Sequence, residues 1–209
     1  MPAGLVLFGD VIRSRRDSIA ATTWLRTLTS DLTDAYSPSD VLAPFEFTQG
    51  DELQGLLAPP ADPTRAILRA ALHPESVPMR WVVIAGEIDP GHGPATQRSG
   101  PAFIAARERL ATAAGRRERV AIASGDPATD ELLDGLAPLL GELLADLTDR
   151  QREIGWLLLV EGLRRSETAD RLGVSRATVS VAADRAHLRS LGDLARVVRT
   201  LVARATMGT

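Results

Sequence analysis

Asp10, Asp51 and Glu52 are the residues of this 209-residue chain whose types and setting point first to chemistry. Asp10 follows the apolar run Leu5–Phe8, and Asp51 and Glu52 follow Gly50 between two further apolar runs. If the two segments are neighbouring strands, the carboxylates converge. Carboxylates a few ångströms apart repel unless a cation lies between them, and Mg²⁺ carrying a nucleotide phosphate is the usual occupant. The backbone amides of Gly9, Asp10 and Val11, with Arg13, Arg15 and Arg16 beside them, supply the donors that phosphate needs. The same residues read equally well as fold-makers, since Asp51 is a good turn former and Asp10 a good helix cap.

A second group lies near the other end of the chain, in LTDRQREIGWLLLVEGLRRSETADRLGVSRATVSVAADRAHL. Thr148, with Gln151 three residues on, has capping-box spacing and starts a helix that runs to Glu161 and stops at Gly162. Ser166 is a cap for a short helix over 167–172, Gly173 permits the positive φ of a tight turn, and Ser175 caps a helix over 176–191. Ala169 suits a close helix crossing, and Leu172, Val174, Val179 and Ala182 suit the wedge between helices. This is a helix-turn-helix pattern. In it Arg176, Ala177, Thr178 and Ser180 face the major groove of a DNA duplex. Arg176 can fork onto a guanine, and Thr178 or Ser180 can reach a base edge or a phosphate. Arg164, Arg165, Arg171, Arg185 and Arg189 are then phosphate contacts. A helical hairpin used only for protein contact is the alternative.

The elements that must hold the acids follow from periodicity. The chain predicts a strand over 5–11, a helix from Asp17 or Ser18 to Tyr36, and a hairpin whose turn is Gln49–Glu52. A helix over 64–72, a strand over 79–88, an alanine-rich helix over 102–114 ended by Gly115 and a strand over 119–123 complete the series. The order β-α-β-β-α-β-α-β fits a ferredoxin-like or palm-type sheet with helices on one face. Leucines over 126–145, interrupted by Gly135 and Pro138, predict two short amphipathic helices that cover the sheet or meet a second chain. A last helix over 192–205 carries Leu194, Val197, Val198, Leu201 and Val202 as a stripe, either covering the helix-turn-helix or forming a dimer contact.

Composition narrows the function classes. The absence of cysteine excludes disulfides, thiolate zinc sites and a cysteine nucleophile. His73, His92 and His187 fit no metal-ligand spacing. No apolar run reaches the length of a membrane span, and the charges after the first apolar run are not those of a signal peptide, so a cytoplasmic protein without membrane contact is expected. A net charge of −3 hides a split: residues 1–140 hold 13 Arg against 18 acids, and residues 164–209 hold 9 Arg against 4 acids. Seven of the eight aromatic residues lie in the first half, and only Trp156 lies later. Every one of the 24 basic residues is Arg, a composition that suits a GC-rich genome and also suits phosphate recognition.

Four segments, LFGDVIRSR, FTQGDELQGLL, RWVVIAGEI and GPAFIAARERL, together resemble the SatD family, whose members carry a start of the form GD-[IV]-x-x-S-[RK] and a hairpin of the form GDE-[FL]-QG. The matching positions are Gly9, Asp10, Ser14 and Arg15, then Gly50, Asp51 and Glu52. More distantly the same segments, over about residues 4–123, resemble class III nucleotidyl cyclases and diguanylate cyclases. That resemblance implies that Asp10 and Asp51 hold metal ions and that Arg107 stabilises a transition state. The chain departs from it at Phe103, where cyclases place an asparagine, and at Phe47, where many place a base-selecting lysine. Phosphoryl transfer depends on positioning and charge, so these losses favour sensing over turnover. Residues 147–188 resemble the helix-turn-helix of sigma-factor region 4 and of LuxR-type regulators.

These readings give an α+β protein in three parts: a SatD-like palm-type domain over 1–125 that senses a nucleotide or phosphate ligand with Mg²⁺, a helical linker over 126–146, and a helix-turn-helix domain over 147–209 that binds double-stranded DNA as part of a homodimer. The rival is a nucleotidyl cyclase or nucleotidyltransferase with Asp10 and Asp51 as metal ligands and Arg107 as its catalytic arginine.

Overall fold

A computed structural model describes residues 2–12, 18–48 and 52–207, with side chains given for all of these except 18–23. The chain is α+β. Its strands are β1 (Ala3–Val11), β2 (Val41–Phe47), β3 (Glu52–Leu57), β4 (Met79–Glu87) and β5 (Val120–Ala123). They form one sheet in the order β2-β3-β1-β4-β5. β1 is antiparallel to both β3 and β4, and β5 joins β4 in parallel. The first four strands therefore have the ferredoxin-like order, and β5 widens the sheet at one edge.

Alternation along β1 explains why the sheet has two apolar faces. Leu5 and Leu7 lie in one buried cluster, and Val6 and Phe8 in another. A strand apolar at every position needs cover on both sides. Helices α1 (Ser18–Asp34), α2 (Pro63–Leu72) and α4 (Pro127–Ala145) cover the first face. α3 (Pro101–Arg116) covers the second through Ala102, Phe103 and Ala106. The helices thus occupy both faces, not one as the element order suggested, because a sheet this apolar cannot leave a face in water.

Residues 126–145 also differ from expectation. They form the single helix α4, capped by Asp126, whose side chain accepts from Thr129 N at 2.8 Å, and Pro138 lies inside it. Leu133, Ala137, Leu140 and Leu144 are buried where α4 packs on β5. That burial outweighs the break that Gly135 and Pro138 would favour in isolation.

The remaining helices are α5 (Asp149–Gly155), α6 (Arg165–Leu172), α7 (Arg176–Arg185) and α8 (Leu188–Met207). The capping box at Thr148 is present, but the α-helical hydrogen bonding stops at Gly155 and a π turn, Trp156–Val160, follows. There the Trp156 ring sits edge-on to His73 and beneath Arg69, and its Nε1 donates to Glu161 at 2.8 Å. The long helix expected over 176–191 is two: His187, at φ 51, closes α7 and α8 begins at Leu188. α8 packs on α4 and α2 with Leu191, Ala195, Val198 and Val202 buried, so one apolar cluster runs from the sheet into these helices.

Tyr36 ties α1 to α2. Its hydroxyl donates to the Asp62 carbonyl at 2.7 Å and accepts from Ala66 N at 3.0 Å. Burial, and then the charge of Asp62, push the phenol above its ordinary value. Tyr36→Phe is expected to lose about 1–2 kcal/mol in urea unfolding at neutral pH, since the Ala66 N–H stays buried without its acceptor. A raised phenol lends stability that is intact at neutral pH and is lost as pH rises past about 10. The wild type should therefore weaken at alkaline pH more steeply than the variant.

Candidate functional site

Asp10 and Glu52 meet on the α3 face. Asp10 and Glu52 are directly opposed in the β1–β3 ladder, and Arg80 opposes Asp10 from β4. Like charges placed opposite each other destabilise a sheet, and arginines offset them here. Arg80 Nη1 lies 3.1 Å from Asp10 Oδ2, and Arg107 Nη2 lies 4.0 Å from Glu52 Oε1. Buried Gln54 donates to the same Glu52 oxygen at 2.6 Å. The row continues across the sheet: Arg80 Nε donates to the Glu118 carbonyl at 3.0 Å, and Arg109 Nη1 meets the Glu118 carboxylate at 2.8 Å. Arg109 is therefore a largely buried structural cation, while Arg107 leaves 70% of its side chain in solvent over the Phe8 ring.

Gly9 and Asp10 are strand residues with Val11 after them. Ser14, Arg15, Gly50 and Asp51 lie outside the described residues. Among the described residues no three carboxylates or histidines gather to hold a metal ion. Asp10 and Glu52 each face an arginine. The residues missed from sequence are Arg80 and Gln54. Period-2 alternation puts Arg80 on the face of Val82 and Ile84, but which acid it meets depends on the register with β1.

Beside Arg107 and Gln54 lies a groove of about 650 Å³, lined also by Asp89, Arg98, Phe103 and Ile104. The Arg98 Nε is buried without a hydrogen-bond partner among the described residues, while its Nη1 donates to the Leu42 carbonyl at 3.4 Å. The groove thus offers two guanidinium groups and an aromatic ring, which can receive a phosphorylated ligand.

In the second half α6 and α7 meet as a helical corner. Gly173, at φ 63, closes α6, and Val174 N reaches the Ala169 carbonyl at 3.0 Å. A side chain with Cβ resists that φ, which is why glycine is suited to the turn. Ala169, Val179 and Ala183 are buried at the crossing. The cap of α6 is Arg164, not Ser166, because Glu167 reaches back to Arg164 N at 2.7 Å. The Arg164 guanidinium on Glu167 holds that carboxyl below the usual carboxylate range. At α7, Ser175 Oγ accepts from Thr178 N at 3.0 Å and lies 2.9 Å from the Thr178 hydroxyl.

The exposed surface of this corner sorts the predicted arginines. Arg164 pairs with Glu167, Arg165 with Asp184 at 2.9 Å, Arg171 with Glu161 at 3.7 Å and Arg189 with Asp193 at 4.0 Å. Among the described residues no ion pair involves Arg176 or Arg185. Ser175, Arg176, Ala177 and Thr178 are exposed, with Val181 beside them, and Ser180 is half-buried. The first turn of α7 therefore presents one uncommitted guanidinium and two hydroxyls on a helix held from behind. No helix among the described residues is long and apolar enough to cross a membrane. Compared with known proteins, the chain matches no family model, no curated protein and no solved structure.

Proposed function

We propose that this protein is a DNA-binding regulator, with α7 reading the major groove and the sheet half binding a nucleotide or similar phosphate ligand that modulates DNA affinity. The observation that carries the reading is the first turn of α7. Its exposed side carries Arg176 without a partner among the described residues, and its opposite side is buried through Val179 and Ala183. The surplus of arginine over acids in residues 164–209 supports the same reading, as does the resemblance to sigma-factor region 4. Two copies would place two such helices on half-sites about 34 Å apart. Leu132 and Leu139, seven residues apart and exposed on α4, and Val197 on α8 offer apolar surface for that homodimer.

The ligand half rests on the groove at Arg107. Thermal unfolding with each nucleoside triphosphate, with and without Mg²⁺, tests it, since a ligand bound only to the folded chain raises the melting temperature. Arg107→Ala is expected to weaken that binding about tenfold and to leave stability nearly unchanged, because the side chain is largely exposed. Unchanged nucleotide affinity in the variant rejects the groove. The facing pair Asp10 and Glu52 with Arg107 nearby favours a second reading, a nucleotidyl cyclase or transferase. That reading requires Mg²⁺-dependent turnover of a triphosphate that Asp10→Asn abolishes, and no product with any of the four triphosphates disposes of it.

A further inference from the structure

Val181 is a large apolar side chain that the core does not use. It lies in the middle of α7 and is 50% exposed. An α-helix turns by about 100° per residue, so Val181 points away from the buried pair Val179 and Ala183. Ala177, one turn earlier, is exposed on the same side, and Thr178, Asp184 and Arg185 flank the two. The outer face of α7 is therefore centred on hydrocarbon, with polar groups at its borders. The single acid of α7 is Asp184, and Arg165 holds it at 2.9 Å. What this face meets must accept an apolar centre between basic and hydroxyl groups.

The major groove of a duplex offers such a centre at one base, because thymine carries a C5 methyl that apolar side chains read by contact. Cβ atoms four residues apart on a helix lie about 5–6 Å from each other, close enough for one methyl group to touch both side chains. We propose that each half-site of the operator carries a thymine whose C5 methyl packs against Ala177 and Val181. This rests on the reading of α7 as a major-groove helix and adds the base that the centre of the helix selects. Arg176 reads a guanine by hydrogen bonds, and Val181 reads a thymine by shape. A cytosine at the same place presents a bare C5–H, so the apolar contact discriminates by what is lost and needs no clash.

The test replaces thymine by deoxyuridine, which pairs identically and lacks only the methyl. The full-length wild type first selects a duplex from a random library, and each thymine of that duplex is then exchanged singly. At one position in each half-site uracil should weaken binding about fourfold, the effect of one buried methyl group. In Val181→Ala the thymine and uracil duplexes should agree within about twofold, as a double-mutant cycle requires of two groups in contact. The variant should melt within about 2 °C of the wild type, since its side chain is half in solvent. Uracil without effect at every position overturns the thymine contact, and so does a full uracil penalty retained in Val181→Ala. If Arg176→Ala still loses affinity in that case, the reading of α7 stands and the thymine contact alone falls. A wild type that enriches no duplex overturns both.

Discussion

Arg176→Ala is expected to weaken binding to duplex DNA by about 10- to 100-fold, because one bidentate arginine–guanine contact contributes roughly 1–3 kcal/mol of discrimination. The side chain is exposed at the first position of α7 and engages no acid among the described residues, so its removal should leave folding untouched. The measurement is fluorescence anisotropy at fixed salt, on a duplex selected by the wild type from a random library. Binding to that duplex should fall while binding to unrelated duplex changes little, since base contacts specify and phosphate contacts do not. Arg185→Ala is the contrasting variant. As a phosphate contact it should weaken both duplexes alike and lower the salt slope by about one. Arg165→Ala should behave differently again, because it frees the Asp184 carboxylate on α7 next to the phosphates. Equal affinity of Arg176→Ala and wild type for the selected duplex would sink the reading of α7.

The largest expected effect on stability is at Gly100. It precedes α3 at φ 128, and a Cβ there would lie 2.6 Å from Asp89 N and 2.7 Å from the Ile88 Cα. Both neighbours are backbone, so neither can swing aside. Gly100→Ala is expected to lose about 3–5 kcal/mol, from roughly 1–3 for the backbone region and a similar amount for the clash. That is a large share of the 5–15 kcal/mol typical of a folded domain. The damage has a direction. α3 would be displaced from the face it covers with Phe103 and Ala106, and Arg107 and the groove would move with it. Gly115→Ala in the same helix is the control, since a Cβ there meets nothing within 4 Å and should add about 0.5–1 kcal/mol. Urea unfolding of the pair separates the two effects. Gly100→Ala within 1 kcal/mol of the wild type would contradict the close approach of Gly100 to the Ile88–Asp89 backbone.

Much of the fold was legible from local pattern. The strand at Met79–Glu87, the helix before Pro74, the Thr148 capping box and the Gly173 turn each follow from residue types within one turn or one strand. The failures share a cause. The break of the helix after Arg185 turns on His187 at positive φ, which periodicity does not signal. The uninterrupted α4 turns on burial against β5, which outweighs Gly135 and Pro138. The cap at Arg164 depends on where Glu167 reaches, and the helix at Trp156 widens where its ring meets His73 and Arg69.

The sequence by itself determined the α+β class, the order of the strands and the residues on the first turn of α7, because hydrophobic period and capping chemistry act over a few residues. Only the tertiary structure decided which charges are spent. Asp10 meets Arg80, Glu52 holds Gln54, Arg165 goes to Asp184, and Arg176 stays uncommitted among the described residues. It also decided that Arg119 lines a small cavity with Ile67, Val77 and Leu144. Strand register and helix crossing choose these partners, and neither is encoded in the spacing of residues along the chain.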